Sequence, residues 1–391
     1  MTSVHSRKAG FGSVAVCLLA IVLVVGCRRG LETQKEYAWV SAPQVTLRDR
    51  VAAVYNRVGM LKNGERVEVL ERAKRFVRVR TESGQEGWVE QRYLESQQVY
   101  EGFQKLAREA ATAPVQGHGV TRSTLNMHVT PERESDHLYQ LKEGERVELI
   151  RRATGERPGR PGAPVTPATS PGKKNAPPVP PPPNLEDWWL IRDSERRAGW
   201  VLARMVDLDV PLDIAQYAEG QRIVAAFVLN TVDDPDYDPK KEEAQRAWDR
   251  PEPGGGVSSA VSAAAKPQDT ASAGHKVPQY LVLLTEPRDG QPFDYNQVRV
   301  FTWNLRKHRY ETAYRERNLF GMLPVRTGSE NFDKEGTLPT FTLNVQGVDN
   351  QPVARKYKLN GPIVRRVLAP GETAKPARPL PRAAGKRGSR S

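Results

Sequence analysis

A pair of thiols, one serine–lysine spacing, scattered histidines, an acidic run and a set of aromatic residues are what this sequence offers to chemistry. The only cysteines among 391 residues are Cys17 and Cys27. Ser170-Pro171-Gly172-Lys173 has the Ser-x-x-Lys spacing of some acyl-transfer enzymes. It lies just before the proline run Pro177–Pro183, where no rigid scaffold would align nucleophile and base. His118, His128, His137, His275 and His308 are not spaced as metal ligands. Asp233-Asp234-Pro235-Asp236-Tyr237-Asp238 lacks the Gly and terminal Glu of a calcium loop and is expected as a solvated acidic turn. Gly254-Gly255-Gly256 follows no strand signal, so no phosphate-cradling loop is expected. The expectation is no catalytic residue, no metal and no cofactor, although paired carboxylates are decided by distance in space. The aromatic residues remain as candidates for binding. Trp88 and Trp200 sit in two Gly-Trp-Val triplets and are expected to point into or across a core. Tyr55, Tyr93 and Trp188 are expected in loops or at edges.

The elements that must position them are written twice. Leu61-Lys62-Asn63-Gly64-Glu65-Arg66-Val67-Glu68-Val69-Leu70 recurs 80 residues later as Leu141-Lys142-Glu143-Gly144-Glu145-Arg146-Val147-Glu148-Leu149-Ile150. The same offset places Leu47-Arg48 on Met127-His128. Farther on, Phe76-Val77-Arg78 and Gly87-Trp88-Val89 match Trp188-Trp189-Leu190 and Gly199-Trp200-Val201 at an offset of 112, so the second copy holds 32 extra residues. Two long copies read as two similar domains, not as a solenoid. Within each copy a Gly marks a tight turn. Val67 and Val69 alternate with Arg66 and Glu68, which makes one face of a strand apolar. Short strands with turns this close predict small barrels.

The repeated centre Leu-Lys-x-Gly-x-x-Val and the closing Gly-Trp-Val resemble the bacterial SH3-like domain. The opening departs from that pattern: Val45-Thr46-Leu47-Arg48 lacks its Asn, and Leu125-Asn126-Met127-His128 lacks its Arg. The resemblance implies binding of cell-wall peptide or another envelope ligand.

The N-terminus carries Arg7 and Lys8 before an uncharged run that ends in Val24-Val25-Gly26-Cys27, which resembles a bacterial lipoprotein cleavage box. On that reading residues 1–26 are removed and Cys27 is lipidated. This would leave no free thiol for a cysteine peptidase or a Cys-type transpeptidase. Arg28 after the Cys lacks the inner-membrane retention signal, which in a diderm implies an outer-membrane lipoprotein facing the periplasm. The formal charge of +13 would fall to +11 without Arg7 and Lys8. In an exported protein such a balance points to anionic lipid or wall polymer, not to nucleic acid.

Five further regions follow in order. Residues 37–95 form the first SH3-like domain. Residues 96–116 form a helical linker, with Val99, Phe103, Leu106, Ala107 and Ala110 on one face. The second SH3-like domain spans 117–208 with a Pro-rich insertion at 154–186, a stiff loop at a hairpin tip. Residues 209–368 form a β-rich domain interrupted by a disordered linker at 251–276, and 369–391 are a basic disordered tail. In the β-rich domain Ile214, Tyr217 and Ala218 suggest a helical turn, and Arg222–Leu229 reads as a strand too apolar to stand alone. It should pair with the sheet that follows Tyr280. Separate strands are expected at Tyr310–Tyr314 and Leu323–Val325, with Tyr310, Thr312 and Tyr314 on one face and an ion-pair ladder on the other.

The expected fold is mainly β: two small SH3-like barrels joined by a short helix, plus a C-terminal antiparallel β-domain. The expected function is a non-enzymatic envelope lipoprotein, held to a membrane by its lipid and binding peptidoglycan or an envelope partner. The alternatives are a wall-modifying enzyme with catalytic groups in 209–368, and a protein–protein scaffold.

Overall fold

The structure is a computed structural model that describes residues 35–158, 184–235, 275–347 and 349–368. The leader with Cys27, the proline run, most of the 251–276 linker and the basic tail lie outside the described residues. The chain divides into two compact units, Met1–Gln97 and Gln98–Ser391.

The first unit is a seven-stranded antiparallel sheet. In chain order its strands are β1 (Glu36–Val40), β2 (Gln44–Arg48), β3 (Arg57–Lys62), β4 (Arg66–Ala73), β5 (Phe76–Thr81), β6 (Glu86–Glu90) and β7 (Leu94–Ser96). They lie side by side as β3-β2-β6-β5-β4-β1-β7. The sheet bends over a core of Val40, Val45, Leu47, Leu61, Val67, Val77, Val79 and Val89. The two outermost strands, β3 and β7, do not pair, so the expected barrel is an open, curled sheet.

The second unit opens with helix α1 (Gln97–Thr112), followed by β8 (Gly117–Thr121), β9 (Leu125–His128), β10 (His137–Leu141), β11 (Arg146–Glu156), β12 (Leu185–Arg192), β13 (Ala198–Leu202) and β14 (Val206–Leu208). Their order, β10-β9-β13-β12-β11-β8-β14, repeats that of the first unit strand for strand. The repeated turn is rebuilt bond for bond. Gly64 and Gly144 take φ of +77° and +76°, which a side chain would strain. Glu65 accepts from the Lys62 amide at 2.9 Å, and Glu145 from the Lys142 amide at 3.0 Å. Gly64 N donates to Val40 O, and Gly144 N to Thr121 O. Both long hairpins slip register at the same place, between Val69 and Glu71 and between Leu149 and Arg151. The insertion falls at the tip of the β11–β12 hairpin, whose last pair is Glu156 with Leu185.

The rest of the second unit is an up-and-down sheet: β15 (Arg222–Asp234), β16 (His275–Thr285), β17 (Tyr295–Asn304), β18 (Arg309–Phe332), β19 (Gly336–Gln346), β20 (Pro352–Asn360) and β21 (Ile363–Val367), in that spatial order. The Arg222–Leu229 strand does pair with the later sheet, from Arg222 opposite Thr285 to Asp234 opposite His275. One face is covered by Val210, Ile214, Tyr217 and Ala218, which pack on Tyr280, Val282, Leu284 and Phe301.

Four expectations are corrected here. His275 and Lys276 are strand residues and not linker. The strands expected at Tyr310–Tyr314 and Leu323–Val325 are one strand, β18. Thr312 and Tyr314 oppose the consecutive residues Phe301 and Val300, so a bulge at Ala313 reverses the alternation. Tyr310 therefore packs against Tyr280 and Trp303, whereas Tyr314 turns to the other face, beside Tyr357. Finally, Asp234 does not belong to a solvated turn. It is buried, accepts from Trp303 Nε1 at 3.0 Å and pairs with His308 Nδ1 at 3.0 Å.

Candidate functional site

In the first unit, strand alternation sends Leu47, Val77, Val79 and Val89 inward, so their neighbours Arg48, Phe76, Arg78, Trp88 and Glu90 share the outer face. Arg48 and Arg78 flank Trp88 as its direct cross-strand partners. Gly87 makes this crossing possible, because a Cβ there would stand 2.6 Å from Leu47 Cγ and 2.7 Å from Arg48 O.

Arg48 organises the face. Its guanidinium lies 4.2 Å from the Tyr55 ring centre and 5.3 Å from that of Phe76. It donates to Glu90 at 3.0 Å, and Glu90 also pairs with Arg92 at 2.9 Å. Arg92 in turn donates to the Tyr93 hydroxyl at 2.8 Å. Tyr55, Trp88 and Tyr93, predicted from three separate stretches, thus stand on one line of contacts, with Arg48 and Glu90 as the links.

The loop between β2 and β3 overhangs this line. Asp49 accepts from the Asn56 amide at 2.8 Å and from Arg50 at 3.1 Å. Arg50 and Asn56 lower its carboxyl pKa to about 2. The loop and the edge strand β3 expose Val51, Val54, Tyr55, Val58 and Met60, with Val54 at 85%. A partly exposed Trp among arginines beside exposed aliphatic side chains can stack on a ring and hold an anion.

The second sheet places the matching residues differently. Trp188, expected at a loop or edge, is in mid-sheet and 1% exposed, and Trp200 is 5% exposed. Both belong to a cluster with Leu106 and Ala110 of α1, together with Ile150, Leu190 and Ala198. Leu190 and Ala198 stand where the first unit has Arg78 and Glu86. His128 stands where it has Arg48 and opposes Trp200 as Arg48 opposes Trp88. Burial lowers the His128 imidazole below its usual value. Trp188 and Trp200 therefore offer no surface to a ligand.

Arg48, Phe76, Glu90 and Arg92 were not singled out from sequence, although Arg48 and Glu90 each follow an inward Leu or Val and so face outward. Among the described residues no group of three or more His, Cys, Asp or Glu could hold a metal ion. No described helix is long and apolar enough to cross a membrane.

The profile of the family described as bacterial SH3 domain matches residues 44–95. No curated protein matches the chain. Among solved structures, a NlpC/P60 family protein from Bacillus cereus is similar at 12% identity and a TM-score of 0.21, over 47% of this chain and 62% of that one. NlpC2 from Trichomonas vaginalis is similar at 11% identity and 0.15, over 44% and 48%. In both cases the chain spans less than two thirds of the other protein's length. The residues that match the bacterial SH3 domain, 44–95, carry Arg48, Tyr55, Phe76, Trp88, Glu90 and Tyr93.

Proposed function

We propose that this chain is a non-enzymatic binding protein of the bacterial cell envelope, held to a membrane by a lipid on Cys27. Its bacterial SH3 domain engages cell-wall peptidoglycan through the Tyr55–Arg48–Trp88–Tyr93 face. The observation that carries this reading is the contrast between two equivalent faces. Around Trp88 the first sheet keeps its outer face polar, aromatic and accessible, and in the second sheet a helix seals that face. The second sheet is a second SH3-like copy turned to a structural role. It repeats the strand order, the turn hydrogen bonds and the register slip of the first, but lacks the accessible aromatic cluster.

Aromatic faces stack on sugar rings and apolar peptide segments, and guanidinium groups pair with carboxylates of the wall. The test is co-sedimentation of the full chain with purified peptidoglycan at low and high salt, comparing wild type with Trp88→Ala and Arg48→Gln. The proposal expects both variants to stay in the supernatant while wild type pellets at either salt. Release of wild type by moderate salt would reduce the interaction to the attraction of a basic chain. Soluble muropeptides appearing in the supernatant would move the protein to the wall-modifying enzymes.

A further inference from the structure

A second place in the molecule has the build of a binding site, and it lies in the other unit. A cavity of about 360 Å3 opens where β14 faces β15. These are the outermost strands of two different sheets, so each brings an edge that its own sheet does not pair. Val206, Leu208, Ile223 and Val224 supply an apolar wall.

The charge of the lining is one-sided. Four guanidinium groups, from Arg122, Arg152, Arg204 and Arg222, border the cavity against one carboxylate, Asp207. Two of the four are held by one buried carboxylate. Arg152 and Arg222 both bind Asp187, at 2.5 and 2.6 Å, and Asp187 is 2% exposed. The other two are at the mouth. Arg122 pairs with Asp207, and Arg204 with Glu186, which already holds Arg133 at 2.6 Å. The side chains of Arg122 and Arg204 remain 57% and 47% exposed. A guanidinium has five donors, so one carboxylate partner leaves each able to take a second.

We propose that this cleft binds a short acidic peptide in extended conformation, its backbone against the edges of β14 and β15 and its carboxylates on Arg122 and Arg204. The volume suits two or three residues and falls within the range of small-ligand sites, roughly 300–1,000 Å3. Edge strands recognise extended backbone, and guanidinium forks recognise carboxylates. The site is separate from the Trp88 face and does not depend on its function.

The test is titration of the full chain by calorimetry with the tripeptide Ala-Glu-Ala, its amidated Ala-Gln-Ala counterpart, and inorganic phosphate. The acidic peptide should bind saturably below about 10 mM, and on the order of tenfold more tightly than the neutral one. The double variant Arg122→Gln/Arg204→Gln should lose that margin. Its melting temperature should hold, because Glu186 keeps Arg133 and Asp207 is exposed. Trp88→Ala should bind the tripeptide as wild type does. Equal binding of the neutral peptide, equal binding by the double variant, or no saturation would overturn the proposal. Phosphate binding as tightly as the acidic peptide would also overturn it, by showing an anion hole indifferent to the peptide.

Discussion

Trp88 and Trp200 occupy the same place in two sheets of identical strand order, and their surroundings differ in almost every respect. Around Trp88 the outer face carries Arg48, Arg78, Glu86 and Glu90. Around Trp200 the equivalent positions are His128, Leu190, Ala198 and Leu202, and Leu106 and Ala110 of α1 press on them. The inner faces are apolar in both sheets, although Trp189 and Met127 replace Val77 and Leu47. The change in polarity between the two sheets lies on the outer side, where polar residues keep a surface and apolar ones call for a cover. Even the closing Gly differs in its neighbours: a Cβ at Gly199 would lie 3.0 Å from Phe103 of the helix as well as against Met127, while one at Gly87 would meet β2 alone. On the proposed reading, one of two sheets with the same strand order is kept for contact with the outside and the other for internal construction.

Making the same change in both copies tests this directly. Trp200→Ala should cost the second unit about 3–5 kcal/mol, the range for emptying a buried aromatic site. Trp88→Ala should cost the first unit less, about 1–2 kcal/mol, because its ring is partly exposed and lies outside the buried core. The readout is chemical denaturation followed by hydrogen exchange in each unit. Equal losses would mean that the two faces are not different in kind.

Asp187→Asn should destabilise the second unit by roughly 3 kcal/mol, since it leaves Arg152 and Arg222 without their shared charge. Burial alone would raise the Asp187 pKa, but Arg152, the Gly290 amide and Arg222 outweigh it and hold the carboxyl below its usual value. Its contribution is therefore present above the unfolded pKa of about 3.9 and disappears as pH falls through the lower folded value. A melting series from pH 6 downward should show this acid loss in wild type and not in the variant.

Leu106→Ala should cost about 2–3 kcal/mol and raise the fluorescence accessibility of Trp188 and Trp200 to a quencher. The smallest effect is the most symmetrical. Glu65→Ala and Glu145→Ala each remove one brace on a repeated turn, and each should cost about 1 kcal/mol in its own unit. A large difference between them would show that the copies diverge in their turns as well as on their faces.

The parts of this architecture that depend on local pattern were legible in the residues. The Leu-Lys-x-Gly-Glu turn, the alternating hairpins, the site of the insertion and the pairing of Arg222–Leu229 with a later strand all follow from spacing and turn chemistry. Trp188 was misplaced because Trp188-Trp189-Leu190-Ile191 has no alternation. Such a run marks a strand buried on both faces, and the cover on the second face, α1, lies some 80 positions earlier. Tyr314 was assigned the wrong face because a single-residue bulge at Ala313 has no composition signal. Asp187 and Asp234 look like ordinary surface acids until their partners are known, and those lie up to 103 residues away, at Gly290 and His308. Trp88 was expected to point into or across the core and stands instead on the outer face, opposite Arg48 and Arg78. Of the candidate residues, Tyr55, Trp88 and Tyr93 were named from sequence. Arg48, which joins them, was visible only as an outward neighbour of Leu47.

The clasp on Asp187 also sets the order in which the chain can settle. As the polypeptide emerges from its N-terminus, the first unit has every residue of its core once Val89 is out. The second sheet is in a different position. Its last strand ends at Leu208, yet Asp187 must wait for Arg222 and for the amide of Gly290, and Gln116 for Val325. More than a hundred residues of later chain are needed before the earlier sheet is satisfied. A nascent chain halted at 208 would hold a finished first unit followed by a sheet in which Asp187 and Gln116 lack their later partners, open to proteases and chaperones until the up-and-down sheet arrives.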